Sequence, residues 1–113
     1  MEILKLTTKP QTLEAIRAGE IKEYAREIRP NTQKKYCQLD EDGYVVDIDG
    51  ELQPRHYDVV QFQSGHEVCA CKIEDAYIEL FEDDNGELIT YEENGEEYIA
   101  AQVVYVLGER IVL

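Results

Sequence analysis

The chain has 113 residues, 43% of them apolar, with 11 Lys and Arg against 25 Asp and Glu and a formal net charge of -14. That length suits one compact domain over residues 1–113, and the charge excludes general adhesion to nucleic acid or an anionic membrane, whose phosphates the whole-molecule field repels. No apolar run approaches the roughly 18 residues of a membrane span and no basic-then-apolar leader follows Met1, so no membrane partner and a cytoplasmic location are expected.

The charge is unevenly spread. Residues 1–35 hold eight Lys and Arg against five Glu, a balance of +3, whereas residues 36–113 hold three against twenty, a balance of -17. The cations therefore gather near the N-terminus.

In chain order, EILKL is a short strand carrying Ile3, Leu4 and Leu6. TTKPQTLEAIRAG predicts a helix of about ten residues. Thr8 and Gln11 have capping-box spacing, Pro10 is tolerated in a first turn, and Gly19 suits a left-handed C-terminal cap. Leu13 and Ile16 are its core-facing pair.

A glycine inside a helix costs roughly 1 kcal/mol, so EIKEYAREI beyond Gly19 is expected to be a strand rather than a helical continuation. Period two then sets Lys22, Tyr24, Arg26 and Ile28 on one face and Ile21, Glu23, Ala25 and Glu27 on the other. In the helical alternative, Lys22, Arg26 and Arg29 form a charged, solvated stripe.

Pro30 and Asn31 open a loop with a short turn in NTQKKYCQL, and DEDGYVVDIDGELQP alternates apolar and acidic residues as an exposed hairpin would. Its aspartates lack the twelve-residue ligand spacing and terminal Glu of a calcium loop. Beyond it, YDVVQF is a strand, QSGH a turn, EVCACKIEDAYIELF a long strand and EDDNG a turn. Asn94 and Gly95 mark a hairpin in LITYEENGEEYIAAQ, and VVYVLGERIVL is expected to form two short strands around Gly108. One short helix and about six strands predict an α+β, mostly β domain: a small barrel with an appended helix.

Three cysteines, Cys37, Cys69 and Cys71, are an odd number for a disulfide framework and are expected to be reduced core residues. The spacing of His66, Cys69 and Cys71 is not that of a zinc knuckle, and a strand would turn His66 away from both thiols. No metal and no cofactor are expected.

The blocks LTTKPQTLEAIRAGEIKEYAREIRP, YDVVQFQSG and YVLGERIVL, in that order, resemble the ASCH domain of the PUA-like superfamily, its small bacterial and phage members above all. The resemblance implies a PUA-like small β-barrel with the short N-terminal helix packed beside a cleft, and a domain that binds RNA or a nucleotide. Some members of that family act as amidohydrolases on modified nucleosides. The family motif runs G-x-K-x-x-E-x-R; Gly19 and Arg26 match it, while Ile21 and Tyr24 stand at the lysine and the Glu or Thr positions. Neither supplies the base or nucleophile that amide hydrolysis needs, so no catalytic residue is assigned; the alternative is a residual amidohydrolase acting on modified nucleosides, with Lys22 and Glu23 in those roles if the strand is slipped by one residue.

Lys22, Tyr24 and Arg26 have the ingredients of a single-strand or nucleotide site: cations for phosphates and a ring on which a base stacks. Lys9 and Arg29 would widen it, backbone amides near Thr8 and Lys9 would meet an anion, and His66 falls where the family has cleft residues. In the alternative, Lys22 and Arg26 pair with surface carboxylates and Tyr24 covers the barrel end. The acidic runs EDDNGE and YEENGEE, together with DEDGYVVDIDGE, are expected to be a solvated surface, or a face that docks a basic protein partner or imitates nucleic acid.

Overall fold

The computed structural model describes residues 1–113, most of them in strands. The elements are β1 (Ile3–Thr7), α1 (Pro10–Arg17), β2 (Glu23–Ile28), a 3-10 turn (Pro30–Thr32), the single-turn α2 (Gln33–Tyr36), β3 (Asp47–Ile48), β4 (Glu51–Leu52), β5 (Val59–Ser64), β6 (Glu67–Leu80), β7 (Thr90–Glu93), β8 (Glu96–Ile99) and β9 (Ala101–Ile111). Five strands form one sheet in the order β1-β5-β6-β9-β2, and β3-β4 and β7-β8 are separate two-stranded hairpins.

The helix ends where the glycine requires. The Gly19 N–H donates to Ile16 O at 3.1 Å and the Glu20 N–H to Ala15 O at 2.9 Å, with Gly19 at φ 75°. These are the paired bonds of a Schellman closure, which needs a left-handed residue. The start differs from expectation. Lys9, not Thr8, precedes the helix and makes no side-chain cap, so the Thr8–Gln11 capping box does not form. Pro10 shifts the helix start one residue along, because its missing N–H and fixed φ suit the first helical position. The Thr8 N–H instead continues the pairing of β1 by donating to Gln63 O at 2.9 Å.

Residue contacts fall into two compact units. The first comprises Met1–Tyr24, His56–Ala76 and Tyr105–Leu113. Here β1 runs parallel to β5 and β5 antiparallel to β6, so that Leu4, Val60 and Cys71 form one cross-strand row and Leu6, Phe62 and Cys69 the next. All six side chains are buried, and Leu13 and Ile16 of α1, which lies against β5, are buried with them. Each such aliphatic side chain stabilises the unit by roughly 1.5–3 kcal/mol on transfer from water. Arg17 fastens the helix end through Glu67 at 3.1 Å and Val68 O at 3.2 Å.

The second unit comprises Ala25–Arg55 and Tyr77–Val104. Both of its hairpins turn through two residues of positive φ, Asp49 (54°) with Gly50 (84°) and Asn94 (53°) with Gly95 (80°), the type I′ signature that suits strand twist. Its other two acidic loops are built alike: Asp40 Oδ1 accepts from the N–H groups of Asp42 and Tyr44, and Asp83 Oδ1 from those of Asn85 and Glu87. These aspartates fold their own loops.

The final segment is one continuous strand, β9, rather than two strands around Gly108. That glycine answers a close approach instead of a turn, since a Cβ there would lie 2.7 Å from Glu74 Cγ. Gly108→Ala should therefore lower the urea midpoint, and Glu74→Ala in the same chain should restore most of the loss. Gly95→Ala, which meets no atom within 4 Å but demands φ 80° of an alanine, should cost about 1–2 kcal/mol with no rescuing partner. Paired denaturation curves of the three variants check both statements.

Candidate functional site

The second unit encloses a recess of about 480 Å³, within the range of small-ligand sites. Its apolar wall comes from alternate residues of two strands. On β2, Tyr24, Arg26 and Ile28 share the less exposed face while Glu23, Ala25 and Glu27 are exposed, and Ile28, 7% exposed, lines the recess. On β6, Ile78 and Leu80 line it, and between them Glu79 points out to accept a 2.6 Å bond from Gln102 Nε2.

The β3-β4 hairpin contributes Leu52 and Asp47, the latter held by the Gly50 N–H on Oδ1 at 2.8 Å. The α2 turn brings Gln33 and Cys37, joined by a 2.7 Å bond from the Cys37 N–H to Gln33 O. The β7-β8 hairpin contributes Tyr91, Tyr98 and Glu97.

Hairpin register explains the tyrosines. A two-residue turn at Asn94–Gly95 sets Glu93 opposite Glu96, Glu92 opposite Glu97 and Tyr91 opposite Tyr98. The two rings stack with centroids 5.7 Å apart and planes at 27°. The guanidinium of Arg29 lies 4.6 Å from the centre of the Tyr91 ring and is steadied by Glu27 at 2.7 Å. The Arg29 backbone is itself fixed by Thr32, whose Oγ1 accepts the Arg29 N–H at 2.9 Å. Tyr98 donates its hydroxyl to Glu96 at 2.8 Å, and that bond to a carboxylate raises its pKa above the ordinary phenol value.

Of the residues singled out in the sequence, Arg29 reaches the recess, through Tyr91, and Arg26 belongs to the same unit. Arg26 is half-buried on the strand face that also carries Ile28. The others lie in the first unit. Thr8 and Lys9 sit at the start of α1, with Thr8 bonded to Gln63 beside the Gly65–His66 turn, where His66 is exposed. Lys22 is exposed and its carbonyl accepts the Leu107 N–H at 2.8 Å. Tyr24 packs edge-on against Phe62, centroids 4.8 Å apart, which commits part of the ring to the core.

Sequence reasoning gives none of Tyr91, Tyr98, Asp47 and Glu97 a place in a recess: Asp47 falls among the aspartates weighed as a calcium loop, and Tyr91 and Glu97 in the acidic run YEENGEE. The two tyrosines carry a legible signal: YEENGEEY is symmetric about Asn-Gly, so a type I′ turn alone pairs its tyrosines.

All three cysteines are free and buried. Burial pushes the Cys37 thiol from its ordinary 9.0 up to about 11 and raises that of Cys71 as well, because desolvation penalises the thiolate. Although Cys37 lines the recess, it is a poor nucleophile there. Both thiols stay protonated in the fold after the unfolded chain begins to lose its protons. Their contribution is constant below pH about 9 and is lost as pH rises from about 9 towards about 11. Thiol-reagent kinetics should show Cys37 labelling slowly at pH 8 in the folded protein and quickly in denaturant, and Cys37→Ser should flatten the alkaline fall in stability.

Compared with known proteins, the chain matches no family model, no curated protein and no solved structure.

Proposed function

We propose that the protein is a PUA-like base-binding domain that takes a nucleotide, nucleoside or single-stranded RNA by seating one base in the recess of the second unit. The observation that carries this reading is the group formed by Arg29, Tyr91 and Tyr98 beside an apolar volume of about 480 Å³. A flat ring gains roughly 1–3 kcal/mol by stacking on an aromatic side chain, whatever its sequence identity. Ile28, Ile78 and Leu80 supply an apolar wall beside the ring pair.

The resemblance to ASCH domains points to the same class of ligand. The half-buried Arg26, matching the family arginine, is the candidate phosphate contact in an RNA complex. The Cys37 thiol is held protonated and no histidine lines the wall, which leaves the carboxylates of Asp47 and Glu97 with no nucleophile beside them. Binding rather than hydrolysis is therefore the activity proposed. A basic-protein docking role is a second reading, favoured by the balance of -11 in the second unit, whose residues 25–55 and 77–104 hold five Lys and Arg against sixteen Asp and Glu.

Amide-resonance titration with adenosine, and fluorescence anisotropy with a short labelled RNA, test the proposal. Adenosine should shift the resonances of Ile78, Tyr91 and Tyr98, and Tyr91→Ala or Tyr98→Ala should weaken binding by roughly five- to 150-fold, the equivalent of one lost stack. RNA affinity should fall with salt at a slope of about -0.7 per phosphate contacted, and Arg26→Glu should reduce that slope. Unshifted recess resonances, with equal weak RNA binding by wild type and the tyrosine variants, would remove the reading.

A further inference from the structure

Two charged residues line the recess, Asp47 and Glu97, and both are acids; no Lys or Arg lines it. The surroundings reinforce that sign. The unit that contains the recess has a balance of -11 against -3 for the other, which holds six Lys and Arg against nine Asp and Glu. No Lys or Arg occurs anywhere between Lys72 and Arg110. On β7-β8, Glu92 faces Glu97 and Glu93 faces Glu96, so the Glu97 carboxylate sits in a field of its own sign.

Carboxylates lining an apolar hollow disfavour an anion and favour a cation, by the modest amount left after solvent screens two exposed side chains. A cation entering the hollow meets two carboxylates and the ring of Tyr98, whose partner Tyr91 already carries the Arg29 guanidinium. The structure already contains an example of the second attraction, the Arg29 guanidinium 4.6 Å from the Tyr91 ring centre.

We infer that the recess is selective for a flat organic cation: among nucleobases, one that is positively charged near neutral pH because a ring nitrogen is alkylated, as in 1-methyladenine or 3-methylcytosine. This rests on the reading that the recess is a base site, and adds to it the charge of the occupant. Asp47 and Glu97 supply the charge selectivity, while Tyr98, backed by Tyr91, accepts the ring face.

Three nucleosides of similar size separate the two ideas near neutral pH: 1-methyladenosine, a cation; adenosine, neutral; and xanthosine, whose base is an anion. Each is titrated into the protein while the amide resonances of the recess are followed. The expected order of affinity is 1-methyladenosine, then adenosine, then xanthosine, with about tenfold between the first two. The double variant Asp47→Asn, Glu97→Gln should bring that ratio close to one, since asparagine keeps an acceptor for the Gly50 N–H and so keeps the hairpin. Glu41→Gln, an exposed change away from the lining, should leave the ratio as it is.

Equal binding of the three nucleosides, a preference for xanthosine, or a ratio unchanged by the double variant would overturn the charge selectivity and leave the base site standing. Absence of any shift with all three would overturn both.

Discussion

The closure at Gly19 is the constraint from which the rest of the arrangement follows. Its two backbone bonds, from Gly19 to Ile16 and from Glu20 to Ala15, exist only because position 19 adopts φ 75°. With a side chain in its place, the cheaper course is to carry the helix on into EIKEYA, and a period of 3.6 would scatter residues that a period of two aligns. As it stands, β2 presents Tyr24, Arg26 and Ile28 together, delivers Ile28 to the wall of the recess, and leaves Arg29 to be set by Thr32 over Tyr91.

Electrostatics sets a second condition. Like charges directly opposite on a hairpin destabilise it by roughly 0.2–1 kcal/mol per pair, and β7-β8 carries two such pairs. The hairpin holds because Asn94 and Gly95 favour its turn and Tyr91 stacks on Tyr98. A charge-neutral substitute for either Glu would fold more readily. The recess thus combines an apolar wall with two exposed carboxylates, Asp47 and Glu97.

Much of the architecture was legible. Gly19, Pro10 and the Leu13–Ile16 pair located the helix, Asn94–Gly95 located a hairpin to the residue, and the cost of Gly19 inside a helix distinguished strand from helix in EIKEYAREI. Other parts were not legible, for identifiable reasons. Gly108 has the appearance of a breaker in sequence, yet it serves a contact with Glu74, thirty-four positions earlier, that no local pattern encodes. The capping box failed because Pro10 takes the first helical position, which makes Lys9 rather than Thr8 the residue before the helix and moves Gln11 out of the third position. The recess draws on residues from 28 to 101, and its carboxylates, Asp47 and Glu97, are indistinguishable in sequence from the many that merely face water. What brings them together is tertiary.

The parallel pairing of β1 with β5 has a kinetic side. Ile3 meets Val59 and Leu6 meets Phe62, partners fifty-six positions apart, with no local hairpin to bring them into register. At ribosomal speeds of about 5–20 residues per second, the first strand waits roughly 3–11 s before its neighbour has been made. Throughout that interval Leu4 and Leu6 have only α1 nearby to shield them. The nascent chain is thus most vulnerable to wrong partners at its beginning, and completion of the sheet depends on loop-closure entropy being overcome late, the signature of a slow-folding topology.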